Sequence, residues 1–229
     1  MGALAPPQAP GPAGKMVRRN WVKDIQALFR TNPPKAIVDG GAHTGAFTTH
    51  FLRMFPGARI HAFEPIPELA KALRKKFPKR VAVHENALGA KNHKLKFNVL
   101  KYPGASSVLA PSALLKAYQK DKIKLRKVLD VKCCRLDNII SHADLIKLDL
   151  QGYELQALKG CGKLLSTTRA LVTEVEFAAL YDDQPLFADI DLYLRKYDFR
   201  LFNLYDLWTH PQGQITAGNA IFLNRRFYA

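Results

Sequence analysis

The stretch AIVDGGAHTGAFTTHF, residues 36 to 51, decides the fold. An apolar run reaches Asp39, and a turn of small residues then opens a helix that begins near Phe47. In doubly wound α/β domains, such a turn lies at the carboxyl end of a parallel strand, where ligands bind. The stretch therefore predicts a ligand-binding turn at the edge of a parallel sheet.

The residue types in this turn favour a ligand that carries both an amino group and a carboxylate. Gly41 and Gly45 would let the backbone approach a ligand closely, and the amides that open the helix can face an anion. Asp39 suits an ammonium group. S-adenosylmethionine (SAM) offers both groups, whereas a dinucleotide would find Ala42 where the middle glycine of GxGxxG is expected. We predict SAM as cofactor, bound by Asp39, Gly41, Ala42, His43 and Gly45; a purely structural glycine-rich turn is the alternative.

Strands and helices alternate on both sides of this turn. The pattern predicts strands at 59–63, 81–83, 144–148 and 170–175, and helices at 47–54, 67–77, 154–159 and 186–195. Two last strands, 199–204 and 219–223, are joined without room for a crossover helix, which predicts an antiparallel hairpin. The fold class expected is α/β: a Rossmann-like, mostly parallel, doubly wound sheet with a C-terminal antiparallel strand.

The middle of the chain departs from this alternation. Residues 94–100 and 128–134 have β character, which predicts an insertion rather than a further strand–helix unit. Between them lies the strongly basic segment 116–127, KAYQKDKIKLRK. A solvated helix or loop face is one interpretation of this segment, and a phosphate-binding patch is the other.

Two more strand ends extend the predicted cofactor site. Glu64 follows Asp39 at about the spacing of roughly 20 residues expected for an acid that binds ribose hydroxyls, although an exposed surface role is the alternative. Asn86 and Ala87 follow the third strand, where an amide side chain can contact the edge of adenine. A turn-forming asparagine explains Asn86 equally well.

The candidate catalytic residues are two acids at later strand ends. Asp149 follows the strand 144–148, and a glycine-containing turn then opens another helix. A hydroxyl that accepts a methyl group must lose its proton, so a nearby carboxylate can act as base. Asp149 is the first candidate and Glu174 the second, with a structural or substrate-orienting role as the alternative for both. Lys147 points to the same strand face as Asp149 and is expected to pair with it.

Composition bounds the remaining possibilities. The 229 residues suit one domain, and we divide them into a disordered Ala/Pro/Gly-rich tail at 1–14, a capping helix within 15–34 and a catalytic domain at 35–229. No apolar run approaches the roughly 20 residues of a membrane span, so we expect a soluble, cytoplasmic protein. The histidines show no metal-ligand spacing, which predicts no metal site. Cys133, Cys134 and Cys161 are expected to be buried free thiols.

Seven short motifs in order resemble the FkbM family of SAM-dependent methyltransferases. They are VDGGAHTG, FEP, NALG, the SSV at 106–108, the RLDN at 135–138, IKLDLQGYELQALKG and the late TEVEF, and the likeness runs from about residue 35 to 223. The resemblance implies a Rossmann-like methyltransferase fold, SAM as donor and O-methylation of a small molecule or a sugar-containing product. By position, Asp39, Gly41 and Gly45 correspond to the methionine side, Glu64 to the ribose acid and Asp149 to the acid beside the transferred methyl.

Three other functions stay open at this point. The net charge of +16 would suit an RNA methyltransferase that uses the basic segment, in place of a small-molecule or glycan acceptor. A catalytically inactive SAM-fold binding protein is a second alternative, which the intact Asp39, Gly41, Gly45 and Glu64 oppose. A nicotinamide dehydrogenase is a third, which Ala42 and the predicted terminal hairpin oppose.

Overall fold

The computed structural model describes residues 20–119, 121–210 and 213–228. The predicted tail at 1–14 lies outside these residues, as does most of the segment before the first helix. That helix, α1 (Trp21–Leu28), begins at Asn20, whose side chain accepts a hydrogen bond of 2.9 Å from the N–H of Val22. The side chain of an N-cap Asn satisfies one of the free N–H groups at the helix start.

Ten strands and five further α-helices follow in the described residues. The strands are β1 (Ala36–Gly40), β2 (Arg59–Phe63), β3 (Val81–His84), β4 (Ala87–Leu88), β5 (His93–Leu100), β6 (Leu125–Cys134), β7 (Leu145–Leu148), β8 (Ala170–Glu176), β9 (Phe199–Thr209) and β10 (Ile215–Asn224). The helices are α2 (Ala46–Met54), α3 (Pro67–Lys76), α4 (Ala113–Tyr118), α5 (Glu154–Lys159) and α6 (Phe187–Arg195), with short 3₁₀ helices at Pro103–Ala105, Leu136–Asn138 and Gly162–Ser166.

Seven strands form the main sheet in the order β3-β2-β1-β7-β8-β10-β9. The pairs from β3 through β8 are parallel, and β10 is antiparallel to both of its neighbours, β8 and β9. The mostly parallel sheet and the terminal hairpin are therefore confirmed. Because the carboxyl ends of the parallel strands share one edge, the turns after β1, β2 and β7 come together there.

Each parallel strand sends alternate side chains to opposite faces of the sheet, as a doubly wound fold requires. Ile37 of β1 packs in one apolar core with helical Phe51 and Leu73, whereas its neighbour Val38 packs in a second core with helical Leu158. Helices α1, α2 and α3 cover the first face, and α5 and α6 cover the second. Trp21 of α1 packs 5.2 Å from the ring of Phe47, so the predicted capping helix closes the first core.

A second sheet of three strands, in the order β4-β6-β5, forms the predicted β insertion. The hairpin β5-β6 is antiparallel, and β4 pairs in parallel with β6. Strand β6 begins at Leu125, three residues earlier than predicted, so the basic segment 116–127 is divided between the end of α4, a turn and the start of β6. The three cysteines are buried and free, as expected. No helix in the described part of the chain is long and apolar enough to cross a membrane.

Candidate cofactor and acceptor site

A cavity of about 390 Å³ opens along the carboxyl edge of the main sheet. Its walls come from the turns after β1, β2, β3 and β7, and it continues past β8 to the hairpin β9-β10. Ligand pockets in proteins range from about 300 to 1,000 Å³. The cavity is therefore large enough for a small organic ligand and reaches across most of the sheet.

The turn after β1 lines the first end of the cavity through Gly41, Ala42, His43 and Thr44. Gly41 has φ +74°, and a Cβ placed there would lie 1.9 Å from the carbonyl oxygen of Asp149. The position needs glycine because two protein turns meet there.

Gly45, which was predicted to contact the cofactor, lies behind the cavity wall. It has φ +79° and does not line the cavity; a Cβ at this position would lie 2.4 Å from the ring of Phe77. Glycine is required here so that the start of α2 can adopt a left-handed conformation beside that ring. The prediction that Gly45 contacts the cofactor is not supported by this arrangement.

Asp39 also lies outside the cavity lining. Its carboxylate is fully buried, accepts a hydrogen bond of 2.6 Å from the hydroxyl of Thr48, and lies 3.3 Å from the ammonium of Lys147. The ammonium group that Asp39 faces in this structure is therefore that of Lys147. The two side chains meet because Lys147 of β7 is the register partner of Asp39 of β1, so both lie on the same face of the sheet.

Lys147 joins the two turns at the centre of the sheet. Its Nζ atom lies 3.6 Å from Asp149 Oδ2 and 3.3 Å from the carbonyl oxygens of Gly40 and Gly41, and it sits over the ring of Phe47. Burial alone would lower the pKa of Lys147, but the charges of Asp39 and Asp149 outweigh burial and raise it above its ordinary value. The expected pairing of Lys147 with Asp149 is confirmed, and Asp39 is its second partner.

Glu64 lines the cavity at the end of β2. Its Oε2 accepts a hydrogen bond of 2.8 Å from the N–H of His43, and its Oε1 accepts one of 2.9 Å from the N–H of Ile66. Each carboxylate oxygen keeps a second lone pair for a ligand. Burial raises the pKa of Glu64 to about 7, although the two backbone hydrogen bonds favour its ionised form.

The neighbouring part of the cavity is mostly apolar. Asn86 and Ala87 line it, as predicted from the end of the third strand, together with Phe63, Ile66 and Phe97. Phe97 comes from the β5-β6 insertion, and no local motif in the sequence indicated that it would reach this site. Flat apolar walls beside one amide side chain suit a planar heterocycle.

Asp149 and Glu174 meet at the middle of the cavity through one glutamine. The side-chain amide of Gln151 donates 2.8 Å hydrogen bonds to Asp149 Oδ1 and to Glu174 Oε2. The hydroxyl of Tyr181 donates to Gln151 Oε1 at 2.8 Å, and Ser107 donates to the backbone oxygen of Gln151 at 2.7 Å. Burial, then the charges of Asp149 and Glu176, raise the pKa of Glu174 well above its ordinary value. The network fixes the two predicted catalytic acids beside each other.

Glu154 braces the turn that opens α5. Its Oε1 accepts a hydrogen bond of 2.6 Å from the N–H of Leu150, across the turn that opens α5. Its side chain is 1% exposed, and burial raises its pKa to about 7. Glu154 therefore stabilises the turn that carries Asp149 and Gln151.

The predicted site residues thus fall into two groups. The cavity brings together Gly41, Ala42, His43, Glu64, Asn86, Ala87, Asp149 and Glu174, while Asp39 and Gly45 lie behind it. Sequence reasoning missed Gln151, Glu176, Tyr181, Tyr102 and Trp208, which also line it. Glu176 could have been found, because it lies two residues after Glu174 on one strand and therefore on the same face. The aromatic residues carried no such signal.

Comparison with known proteins gives a family and named relatives. Residues 39–201 match the family described as Methyltransferase FkbM domain. The chain is 30% identical over 175 residues to 2-O-methyltransferase NoeI of Sinorhizobium fredii (strain NBRC 101917 / NGR234), a match that covers 70% of this chain and 71% of that relative. It is 27% identical over 153 residues to Methyltransferase sdnD of Sordaria araneosa, covering 54% of this chain and 59% of the relative.

A solved structure with a similar fold is the crystal structure of Methyltransferase FkbM from Methylobacillus flagellatus KT. The two superpose with a TM-score of 0.54 at 18% identity, over 82% of this chain and 43% of the Methylobacillus chain. This chain therefore spans less than half the length of that protein. The likeness shows a shared fold.

Proposed function

Because this chain belongs to the FkbM family of SAM-dependent methyltransferases, we propose that it transfers the methyl group of SAM to a hydroxyl of a small-molecule or glycan acceptor. The observation that carries the proposal is the continuity of one cavity. Glu64 and the turn after β1 line one end, and Asp149 and Glu174 line the part beyond it. A donor and an acceptor could therefore lie end to end within it.

The residues at the first end suit the groups of SAM. The main chain from Gly41 to Thr44 borders the space where a methionine portion would lie, and the second lone pairs of Glu64 can accept hydrogen bonds from ribose hydroxyls. Asn86 and Phe97 would hold adenine between an amide and an apolar wall. Asp39 contributes indirectly, because its carboxylate holds Lys147 in place.

The acids at the middle of the cavity would act on the acceptor. SAM supplies an electrophilic methyl group on a positively charged sulfur. Asp149, which Lys147 and Gln151 hold in position, would accept a hydrogen bond from the acceptor hydroxyl and take its proton. The C–O bond would form as the bond between the methyl carbon and sulfur breaks, which leaves S-adenosylhomocysteine. Glu174 is the second candidate for this role. Holding the oxygen in line with the methyl carbon would supply a large share of the rate enhancement.

Oxygen is favoured as the acceptor atom by the name of one relative. The Sinorhizobium fredii protein is named a 2-O-methyltransferase. The basic segment 116–127 gives less support to an RNA acceptor, because none of its described lysine or arginine side chains lines the cavity. The hydroxyl of a small molecule or glycan is therefore the acceptor we propose.

Methyl transfer from isotope-labelled SAM to a panel of hydroxylated compounds tests the proposal. The wild-type chain is expected to form a methyl ether, identified by mass spectrometry. Asp149→Asn is expected to lower kcat by about 10²- to 10⁴-fold, the usual contribution of a general base. Asp130→Asn, at an exposed carboxyl on β6, serves as the matched control and should leave kcat unchanged. Transfer to nitrogen or carbon instead of oxygen would contradict the proposal, as would SAM binding without transfer to any member of the panel.

A further inference from the structure

Half of the net positive charge of the chain lies in its β insertion. Residues 93–134, from the start of β5 to the end of β6, hold ten lysines and arginines against two aspartates, a net charge of +8 out of the +16 of the whole chain. A positive field concentrated on one part of a surface attracts an anionic partner. None of these lysine or arginine side chains that the structure describes lines the cavity, so such a partner would meet the outer surface of the insertion.

Four of these cations lie at one edge of the insertion, where three segments of the chain meet. The N–H of Lys101 donates a hydrogen bond of 2.8 Å to the carbonyl oxygen of Lys124, and the N–H of Tyr102 donates one of 2.7 Å to that of Lys122. Lys116, on α4, borders the same groove as Lys124. All four lysines are exposed. We call this surface the basic edge; its cations are Lys101, Lys116, Lys122 and Lys124.

The basic edge has little charge compensation of its own. Lys124 pairs with Asp121 at 3.0 Å, but the two side chains are exposed by 69% and 79%, and ion pairs open to water are weak. In the described part of the chain, no carboxylate lies within ion-pairing distance of Lys101, Lys116 or Lys122. The edge therefore keeps positive charge that a partner can neutralise.

Apolar surface continues between these cations. A groove of about 660 Å³ runs beside Lys116 and Lys124, and Leu125, which lines it, is 58% exposed. A single exposed leucine is ordinary on a protein surface, but a contiguous apolar groove rimmed by cations marks a surface for a partner. Apart from the two lysines and Asn98, the groove is lined by Leu100, Ala110, Pro111, Ala117, Ile123 and Leu125.

An anionic bilayer surface offers both kinds of contact. Lysines are attracted to the negative lipid headgroups, while aliphatic side chains enter the boundary between headgroups and acyl chains. RNA would also attract the lysines, but its bases stack on aromatic rings and its backbone gains nothing from an aliphatic groove. The exposed rings of Tyr102 and Tyr118 suit either partner, so the aliphatic surface around Leu125 decides between them.

We propose that the basic edge docks on an anionic membrane surface, with its four lysines against lipid phosphates and with Leu125 and the groove against the acyl chains. The docked edge would hold the cavity close to the bilayer. Tyr102, whose N–H bonds to Lys122, also lines the cavity, and so does Leu115, the neighbour of Lys116 on α4. Docking of this kind does not depend on the proposed methyl transfer.

Flotation with lipid vesicles tests this docking. The full chain is mixed with vesicles of phosphatidylcholine alone or with vesicles that also contain about 30% phosphatidylglycerol, and the bound fraction is measured against lipid concentration. We expect partitioning at least about tenfold stronger onto the anionic vesicles, because each lysine near the surface adds to the attraction. Most of this preference should be lost at about 0.5 M salt, which screens the charges.

Two variants separate the charged and the apolar contributions. Lys116→Gln combined with Lys122→Gln is expected to weaken partitioning onto anionic vesicles by about tenfold or more. Leu125→Gln keeps every charge and is expected to weaken it by about fivefold or more, because an apolar side chain no longer leaves water. Lys163→Gln and Leu192→Gln, at exposed residues outside the insertion, are the matched controls and should partition as the wild type does.

The alternative partner is tested in the same assay by adding a single-stranded RNA oligonucleotide at a phosphate concentration equal to that of the anionic lipid. We expect the chain to stay on the vesicles, and its displacement by RNA would assign the basic edge to nucleic acid and overturn the proposal. Equal partitioning onto neutral and anionic vesicles, or an unchanged affinity in Leu125→Gln, would also overturn it. All substituted side chains are exposed, so each variant should unfold at the wild-type temperature.

Discussion

The ammonium of Lys147 lies 3.3 Å from the carboxylate of Asp39, and both side chains are almost completely buried, at 3% and 0% exposure. The pair connects β7 to β1 at the point where their turns form the cavity floor. Because Asp149 is the second partner of Lys147, the position of one candidate catalytic acid depends on this buried pair.

Lys147→Met is expected to destabilise the chain by about 3–5 kcal/mol, because two carboxylates lose their counter-ion and Asp39 is left charged in the interior. Urea unfolding measures the change. Lys96→Met is the matched control: its pair with Asp130 is exposed, so the loss should stay below about 1 kcal/mol. Adding Asp39→Asn to Lys147→Met should restore part of the stability, and a double variant no more stable than the single one would contradict the account.

Gly41→Ala is expected to prevent the two turns from meeting. The residue has φ +74°, and the new Cβ would lie 1.9 Å from the carbonyl oxygen of Asp149, so the loss should exceed the usual 1–3 kcal/mol of a strained backbone position. Thermal unfolding and SAM binding should both be impaired. At Gly57 a Cβ meets nothing within 4 Å, and Gly57→Ala should be neutral or slightly stabilising. Similar effects of the two substitutions would be inconsistent with the structure.

The raised pKa of Glu64 predicts that the free energy of unfolding falls as the pH rises. Its pKa is raised from 4.5 to about 7, so the folded chain holds a proton that the unfolded chain releases between these values. The stability contributed by this proton is present below about pH 4.5 and is lost as the pH passes 7. Glu64→Gln should remove about 3 kcal/mol of this pH dependence, from 1.36 kcal/mol per unit. Denaturant titrations at pH 5 and pH 8 measure it, and parallel pH profiles for wild type and variant would contradict it.

Gln151→Leu is expected to destabilise the chain by about 1–3 kcal/mol, because Asp149, Glu174 and Tyr181 each lose a hydrogen-bond partner inside the cavity wall. The loss should grow with pH, because the pKa of Glu174 is raised well above its ordinary value and its carboxylate needs the amide donor more once it is ionised. Gln156→Leu on α5, away from the cavity lining, is the control. A loss that is independent of pH would show that Gln151 does not hold the acids together.

The architecture could be predicted because the patterns that indicate strands, helices and turns are local in the sequence. Strand β2 and helix α5 have the bounds that alternation and flanking residues indicate, and the missing crossover between the last two strands correctly predicts their antiparallel pairing. The strand β4 was not predicted as such, because two residues carry no periodicity and pair only when the distant β6 folds against them.

The candidate site was less predictable, because contacts between distant segments decide which side chains line it. Strand ends that share one edge of a sheet could be placed together from topology alone, and eight of the ten predicted residues line the cavity. Whether a side chain faces a ligand or another residue depends on contacts between distant segments. Asp39 faces Lys147, and Gly45 faces Phe77, in ways that no spacing along the chain reveals. Tyr181 reaches Gln151 from beyond β8 in the same way.

Calorimetric titration of the full chain with SAM tests the central claim most directly. We expect micromolar binding by the wild type that tightens as the pH rises through 7, because ribose hydroxyls need the ionised Glu64 as acceptor. Glu64→Gln should weaken binding by about tenfold or more and remove the pH dependence, whereas Glu68→Gln should change neither. Absence of SAM binding by the folded wild type, or unchanged affinity in Glu64→Gln, would contradict the assignment of this cavity as the cofactor site.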